Sequence, residues 1–273
     1  CNFYMPIFEE ALDAYGLPLE LRYLPIIESA LNPSAVSRAG ASGLWQFMIG
    51  TGKIYGLESN SLVDERRDPI KATWAAARYL KEMYDIYGDW NLVIAAYNCG
   101  PGTINKAIRR ANGETDYWKI YNYLPKETRG YVPAFIAANY VMTYYCDHNI
   151  CPMETNIPAS TDTVQVNKNL HFEQIADLCN VPLDQIKSLN PQYKKQMIPG
   201  DSKPYTLRLP IDAISTFIDK QDTIYTHRAD ELFRNRKTVA VKDITPATRK
   251  TTSAVAGKGN LTYYTIKSGD RKS

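Results

Sequence analysis

The first half of the chain places apolar side chains at the spacing of α-helices. The first apolar stripe consists of Phe3, Ile7, Phe8, Ala11, Leu12 and Tyr15. This spacing predicts a helix over residues 3–15. Gly16 can end that helix, because glycine readily adopts the left-handed conformation that follows a helix.

Local residue chemistry indicates where further helices begin. Pro25 suits the first turn of a short helix that carries Glu28, since the missing N–H of proline costs nothing there. Asp68 is expected to cap a helix that starts at Pro69, and Asp89 caps the next one. Other helices are predicted at 103–111, 116–122 and 131–146, with a brief one near residue 51. Strand patterns are nearly absent before residue 151, so this half is predicted to be all-helical.

The pattern changes near Cys151-Pro152 and again at Pro158-Ala159-Ser160, which we interpret as a linker. Residues 163–166 alternate like a strand, 171–179 and 183–189 look like short helices, and 205–209 read as a second strand. The order strand–helix–helix–strand predicts a small α+β module.

These patterns predict a mainly α fold class with four segments. An all-helical domain occupies residues 1–151, an α+β domain occupies 160–211, and a helical and flexible linker occupies 212–260. Residues 261–273 start another strand and stop. The chain begins without Met or a signal peptide, and we interpret Cys1-Asn2-Phe3 as a cut boundary rather than a lipidated N-terminus. The sequence contains no apolar run long enough to span a membrane.

Composition narrows the function classes. A net charge of +3 does not indicate nucleic-acid binding, which usually needs a concentrated basic face. The 20 tyrosines and 4 tryptophans are compatible with carbohydrate binding, but composition alone favours ordinary packing in a core and at its rim. Cysteine and histidine lack metal-type spacing, so we expect no metal and no cofactor. Cys146 and Cys151 could form a disulfide, whereas Cys99 and Cys179 are interpreted as buried thiols.

Glu28 is the strongest catalytic candidate. It follows the apolar residues Leu24-Pro25-Ile26-Ile27. Apolar surroundings disfavour a charged carboxylate, so its pKa should rise, as a general acid near neutral pH requires. A solvated glutamate near a helix end is the ordinary alternative, and the residues further along the chain decide between the two.

Those further residues form ordered blocks. They are Gly43-Leu44-Trp45-Gln46-Phe47-Met48, Asp64-Glu65-Arg66-Arg67-Asp68-Pro69, Ala96-Tyr97-Asn98-Cys99-Gly100 and Tyr131. Together with Glu28-Ser29, over about residues 6–146, they resemble the family 1 lytic transglycosylases, goose-type-lysozyme-like enzymes of bacterial cell walls, and especially their membrane-bound D branch. The family usually has Ala at the position of Cys99, and both residues are small.

The resemblance implies a lysozyme-like fold and a role for each matching residue. Glu28 would be the catalytic acid and then the base. Ser29 would help to hold the site together, and Tyr131 would orient Glu28. The residues expected to contact sugar are Ser29, Ser37, Gln46, Met48, Tyr97, Asn98 and Tyr131.

A single carboxyl suggests a particular chemistry. Most glycosidases use two carboxylates. Here Asp68 is better explained as a helix cap, and Asp64 and Glu65 as partners of Arg66 and Arg67. The resemblance implies that the 6-hydroxyl of muramic acid attacks its own C1, which gives a 1,6-anhydro product without consuming water.

The second module resembles a LysM domain, a class that binds glycans containing N-acetylglucosamine. The similarity lies in residues 172–178 and 183–191. Asn167-Lys168-Asn169-Leu170 replaces the usual Gly-Asp-Thr-Leu, which leaves glycan binding by this module open. Residues 263–270 resemble the start of another LysM repeat.

We therefore expect a monomeric lytic murein transglycosylase that cleaves the β-1,4 bond between N-acetylmuramic acid and N-acetylglucosamine. Its partners are expected to be peptidoglycan strands and not nucleic acid, with membrane attachment through a lipid anchor as a further expectation. The expected location is the cell envelope, in the periplasm or at the outer membrane. A hydrolytic muramidase and a non-catalytic peptidoglycan-binding protein are the alternatives.

Overall fold

The computed structural model describes residues 3–151, 157–158 and 160–233. The expectations for Cys1 and for the segments at 234–260 and 261–273 concern residues outside this part of the chain. The helices of the first region are α1 (Tyr4–Ala14), α2 (Leu24–Ser29), α3 (Ile49–Ile54), α4 (Pro69–Tyr87), α5 (Trp90–Cys99), α6 (Pro101–Arg110), α7 (Tyr117–Ile120) and α8 (Lys126–Thr143). Short 3₁₀ turns lie at Leu19–Tyr23, Glu65–Arg67 and Tyr121–Tyr123.

The helix starts predicted at Asp68 and Asp89 are confirmed by individual hydrogen bonds, whereas the helices predicted at 103–111 and 131–146 begin earlier, at Pro101 and Lys126. The Asp68 carboxylate accepts from the backbone N–H groups of Ile70 and Lys71, and Pro69 occupies the first turn of α4. Asp89 accepts from the N–H of Leu92 at the start of α5. These side chains satisfy donors that the helix itself leaves unpaired.

Small residues bring the central helices of the first region close together. In α4, Ala72, Ala76 and Ala77 are fully buried, and they pack in the same core as Trp45 and Phe8. The rings of Phe8 and Trp45 meet edge to face with centroids 5.3 Å apart, a favourable arrangement for aromatic pairs. The indole N–H of Trp45 donates to Thr73 Oγ1 at 2.9 Å, so burial leaves no unpaired donor on this ring.

The second region is the predicted α+β module with one addition. Its elements are β1 (Thr161–Val166), β2 (Asn169–His171), α9 (Phe172–Cys179), α10 (Leu183–Leu189), β3 (Met197–Pro199) and β4 (Tyr205–Pro210). The predicted strands, β1 and β4, pair antiparallel, with Thr161 opposite Pro210 and Val166 opposite Tyr205. The sequence did not indicate the second antiparallel pair, β2 and β3. Each has three residues, which is too short for a period-two pattern.

Three helices follow the second region: α11 (Ile211–Asp219), α12 (Gln221–Thr226) and α13 (Ala229–Leu232). They cover the segment predicted as a linker up to residue 233. Phe217 and Ile224 are fully buried and belong to the core of the second region. Residues 211–232 are therefore packed into the core of the second region, whereas a flexible linker would have no such contacts.

The two regions share a seam. Leu62 and Val63 come from the first region, yet they are buried in the hydrophobic core of the second. Val63 also forms an antiparallel bridge with Tyr193. All residues that the structure describes lie within one compact unit.

The described residues contain neither a disulfide nor a membrane-spanning helix. Cys99, Cys146, Cys151 and Cys179 are free thiols, so Cys146 and Cys151 are not joined. Cys179 is buried as expected, whereas Cys99 is half-buried. Within the same part of the chain, each helix is too short or too polar to cross a bilayer.

Gly43 is required by a close backbone approach. Its φ is +88°, and a Cβ at this position would lie 1.8 Å from the carbonyl oxygen of Arg66. We expect Gly43→Ala to lower the free energy of unfolding by about 3 kcal/mol or more, because backbone would have to move against backbone. Urea denaturation followed by circular dichroism measures this change.

Gly40→Ala is the matched control. Gly40 has the same φ of +88°, but a Cβ added there would have no atom within 4 Å. It should lose only the roughly 1–2 kcal/mol that left-handed backbone costs an alanine. Equal losses in the two variants would contradict the steric argument for Gly43.

Candidate active site

Glu28 lies in the short helix α2, next to the hydrophobic core. Pro25 occupies the first turn of this helix, as predicted, and Ala30 ends it in the left-handed conformation with a φ of +51°. Ile26 and Ile27, which precede Glu28 in this helix, pack against the core. Glu28 is half-buried near the end of this helix.

The environment of Glu28 raises its pKa from 4.5 to about 7. Burial is the largest cause, because it removes water from the charged form. The negative charge of Glu127 adds to the increase, whereas the hydrogen bond from Tyr131 opposes it. Near neutral pH this carboxyl is therefore divided between its protonated and ionised forms, which suits a group that gives and then accepts a proton.

Tyr131 is the hydrogen-bond partner of Glu28. Its hydroxyl, on the second turn of α8, donates to Glu28 Oε1. Burial and the charge of Glu28 hold the pKa of Tyr131 well above its usual value, so the phenol stays a donor. The contact joins residues 103 positions apart and fixes the direction of the carboxyl.

Two side chains hold the loop that follows Glu28. Ser29 Oγ lies 2.9 Å from the carbonyl oxygens of both Pro25 and Leu44. The Tyr97 hydroxyl donates to the carbonyl of Trp45 at 2.7 Å. The Ser29 hydroxyl, predicted to hold the site together and to contact sugar, is thus engaged by the protein's own backbone.

A cavity of about 260 Å³ lies beside this loop. Its lining includes four of the predicted site residues, namely Gln46, Met48, Tyr97 and Asn98, together with Trp45, Phe47, Thr51, Tyr79, Cys99 and Gly100. Tyr97 is the residue of the cavity wall that senses Glu28. Burial is the main cause that raises the pKa of the Tyr97 phenol, and the negative charge of Glu28 raises it further. Glu28 itself is not among the residues that line the cavity, and Tyr97 is the wall residue that the charge of Glu28 reaches.

Polar groups in this cavity are held in defined positions. Gln46 adopts a left-handed backbone, with a φ of +47°, and its side-chain nitrogen donates to the carbonyl of Gly43 at 2.8 Å. Asn98 Oδ1 accepts from Thr128 Oγ1 at 2.9 Å. No described residue accepts from the amide nitrogen of Asn98, which leaves that donor for a ligand. Amides of this kind match hydroxyl and acetamide groups.

Ser37 and Met48 are the most exposed of the predicted site residues. Ser37 stands in the 32–47 loop, outside the cavity lining, and its Oγ accepts from the N–H of Ala41 at 3.0 Å. Met48 lines the cavity and remains 44% exposed, so an apolar contact would bury additional area there. The structure joins Glu28 to Tyr131 by a hydrogen bond and brings its charge close to Tyr97, whereas Ser37 is not among the residues that line the cavity.

The other acidic residues near the motif blocks have structural partners. Asp64 receives two hydrogen bonds from Arg66, at 2.9 and 2.8 Å, as predicted. Glu65 was expected to pair with an arginine, but it pairs with Lys71 at 2.5 Å. Among the described residues, no cluster of His, Cys, Asp or Glu is arranged to hold a metal ion.

Sequence reasoning missed Tyr79 and Thr128. Tyr79 lines the cavity and its ring centroid lies 5.6 Å from that of Tyr97. It lies in the middle of α4, where the sequence pattern predicts a helix but does not distinguish Tyr79 from the residues around it. Thr128 ties α8 to α5 through Asn98. Both roles depend on contacts between distant segments, and no local signal marks them.

Comparison with known families agrees with this geometry. Residues 5–120 match the family model of the transglycosylase SLT domain, and residues 160–226 match that of the lytic transglycosylase MltD LysM-like domain. The helical region of this chain therefore carries a transglycosylase SLT domain. The predicted family resemblance and the mainly α fold class, with a LysM-like module after the helical region, are confirmed.

Curated relatives of this SLT-domain chain include two proteins from Escherichia coli K12. The chain is 31% identical to membrane-bound lytic murein transglycosylase D over 93% of its own length and 52% of the relative. It is 33% identical to the soluble lytic murein transglycosylase over 43% of its length and 19% of the relative. The chain thus spans about half the length of the first of these relatives.

A solved structure with a similar backbone is the 70 kDa soluble lytic transglycosylase from Escherichia coli. The similarity covers 52% of this chain and 24% of that one, with 29% identity and a TM-score of 0.45.

The raised pKa of Glu28 makes protein stability depend on pH. Between pH 4.5 and about 7 the folded protein keeps a proton that the unfolded chain releases, so the wild type loses stability as pH rises through this window. Glutamine does not ionise. We expect Glu28→Gln to exceed the wild type in free energy of unfolding at pH 8 by about 2 kcal/mol, with the difference vanishing near pH 4.

Urea denaturation at the two pH values measures this difference, and Glu10→Gln is the control. Glu10 is exposed on α1, and its substitution should change stability little at either pH. If the stability difference between Glu28→Gln and the wild type were the same at pH 8 as at pH 4, the raised pKa of Glu28 would be contradicted.

Proposed function

We propose that this protein is a peptidoglycan lytic transglycosylase. The proposal is that it cleaves the β-1,4 bond between N-acetylmuramic acid and N-acetylglucosamine and forms 1,6-anhydromuramic acid ends. The observation that carries it is a single half-buried carboxyl, Glu28, with a pKa of about 7, next to a cavity lined by amide and aromatic side chains. The relatives named as lytic murein transglycosylases support the same substrate class.

Glu28 would act twice in this reaction. It first donates its proton to the glycosidic oxygen, and the bond from that oxygen to C1 of the muramic residue breaks. The 6-hydroxyl of the same residue then attacks C1 and gives its proton to the Glu28 carboxylate. The proton count balances, no water is consumed, and the intramolecular attack gains from the positioning of the two reacting atoms.

The surrounding residues would orient the carboxyl and the sugars. Tyr131 holds one carboxyl oxygen by a hydrogen bond, which fixes the direction in which the proton leaves. Gln46 and Asn98 offer amide groups on the cavity wall, and Tyr79 and Tyr97 offer aromatic faces. Such a combination binds the polar edge and the apolar face of a pyranose ring.

The hydrolytic alternative requires a second carboxylate. Glu127 is the acidic side chain whose charge acts on Glu28, and it is exposed at the start of α8. The proposal gives Glu127 no chemical role. Its substitution therefore separates the two reactions.

For location and assembly, we propose that the protein works in the cell envelope, as the names of the membrane-bound relatives suggest. Placement in the periplasm at the outer membrane, attachment through a lipid anchor and action as a monomer are finer parts of the same proposal. The expected substrate, a polymer that lies outside the cytoplasmic membrane, supports the proposed compartment.

Digestion of purified cell-wall sacculi followed by mass spectrometry tests the reaction. Anhydro-muropeptides are the expected products, whereas hydrolysis would give fragments heavier by one water. Glu28→Gln should reduce the rate by about 10²–10⁴-fold, because general acid and base catalysis contributes that much. Glu127→Gln should keep most of the activity. An inactive wild type would favour a non-catalytic binding protein, and hydrated products that depend on Glu127 would favour a muramidase.

The pH profile tests the hydrogen bond from Tyr131. Proton donation needs protonated Glu28, so kcat/KM should fall as pH rises above about 7. Tyr131→Phe removes a bond that favours the ionised carboxylate, and it should move this alkaline limb upward by about one pH unit. Tyr123→Phe, at an exposed tyrosine before α8, is the control and should leave the limb in place. If the alkaline limb of Tyr131→Phe stayed in place, the pKa measured from the profile would belong to a group other than Glu28.

A further inference from the structure

The seam between the two regions is built from backbone as well as side chains. The N–H of Asp64 donates to the carbonyl of Gln192 at 2.8 Å, and the N–H of Lys194 donates to the carbonyl of Leu62 at 2.8 Å. These bonds flank the bridge between Val63 and Tyr193. Residues 62–64 are therefore held in register by residues 192–194 of the LysM-like region.

The side chain of Lys194 adds an ion pair and a hydrogen bond to these backbone contacts. Its Nζ donates to the carbonyl of Asn60 at 2.8 Å and lies 3.6 Å from Asp64 Oδ2. Asn60 in turn accepts the N–H groups of Leu62 and Val63 on its side-chain oxygen, which closes the turn. One lysine of the second region thus holds both the turn and the carboxylate that follows it.

Asp64 passes this restraint to Arg66. The Asp64 side chain is 1% exposed, and both of its oxygens accept from the Arg66 guanidinium, at 2.9 and 2.8 Å. Burial alone would raise the pKa of Asp64, but Arg66, with Lys194 and Arg67, outweighs it and holds the pKa below its usual value. A buried carboxylate that accepts two bonds in a fork geometry fixes the orientation of the arginine.

Arg66 then holds the loop that carries Gln46. Its Nη1 lies 2.9 Å from the carbonyl oxygens of Gly40 and Phe47, at the two ends of the 40–47 loop. Arg67 Nε adds a bond to Ser42 Oγ at 3.1 Å, and Gly43 rests against the Arg66 carbonyl. The loop is clamped at its ends and at its middle by two consecutive arginines.

We propose that Asp64 is a positioning residue that makes the LysM-like region part of the catalytic scaffold. Pinned by residues 192–194, it fixes Arg66 and thereby the loop that presents Gln46 to the cavity. This inference rests on the proposed transglycosylase function. It assigns to the LysM-like region a role in shaping the active site that does not require this region to bind glycan.

The test compares three variants of the full chain by kcat/KM on purified sacculi. Asp64→Asn keeps the shape of the side chain and removes its charge, and we expect a loss of about tenfold. Lys194→Met keeps most of the stem and removes the cation, and we expect a loss of about fivefold. Lys194→Arg restores a cation and should recover most of the activity. Anhydro-product chemistry should remain unchanged in all three.

Lys203→Met is the matched control. Lys203 pairs with Glu58 at 2.7 Å across the same seam but makes no contact with Asp64 or Arg66. Lys203→Met removes an ion pair between the regions and leaves Asp64, Lys194 and Arg66 with all their own bonds, although the Glu58 carboxylate also accepts from the Asn60 side chain at 2.6 Å. Its kcat/KM should stay within about twofold of wild type, as for a surface pair.

A double-mutant cycle with Gln46→Ala distinguishes positioning from general destabilisation. If Asp64 and Lys194 act through the loop, their substitutions should cost less than about twofold in a background that already lacks the Gln46 amide. Melting temperatures identify variants that simply fail to fold, and Lys194→Met then carries the test if Asp64→Asn does not fold.

Three outcomes are decisive. Full activity in a folded Lys194→Met and Asp64→Asn overturns the inference, and so do losses that add to that of Gln46→Ala without reduction. A wild type that forms no anhydro products overturns the proposed function instead, before any variant is compared.

Discussion

The site depends on keeping one carboxyl out of water while holding it in a fixed direction. Burial of Glu28 raises its pKa to about 7, and this destabilises the folded protein at alkaline pH. A buried carboxyl without a partner would turn toward solvent, and the hydrogen bond from Tyr131 opposes that movement. The rest of the helical region can be understood as the support for this pair.

That support forms a closed circuit of hydrogen bonds. Ser29 ties α2 to the loop at Leu44, and Tyr97 ties the same loop to α5. Thr128 joins α8 to α5 through Asn98, and Tyr131 returns from α8 to Glu28 in α2. Each link connects elements that are distant in sequence, so a displacement of one element strains the others.

The sequence predicted what depends on neighbouring residues. Asp68 and Asp89 cap helices through contacts two or three residues away, and such contacts are visible in a local pattern. The partnership of Tyr131 with Glu28 spans 103 positions, and it was anticipated only because the order of the motif blocks resembled a family. Tyr79 and the double clamp by Arg66 gave no such signal, because their partners are set by packing between segments.

The shared seam also bears on how this chain could be shortened. Leu62 and Val63 are almost completely covered by side chains that follow residue 160. A fragment cut at residue 151 would carry both of them into water, beside the buried charges of Asp64 and Arg66 that lose part of their cover. A catalytic fragment that folds by itself would therefore need polar replacements at these two positions. The motifs alone would place the end of such a fragment near residue 151, but the packing of Leu62 and Val63 requires residues beyond it.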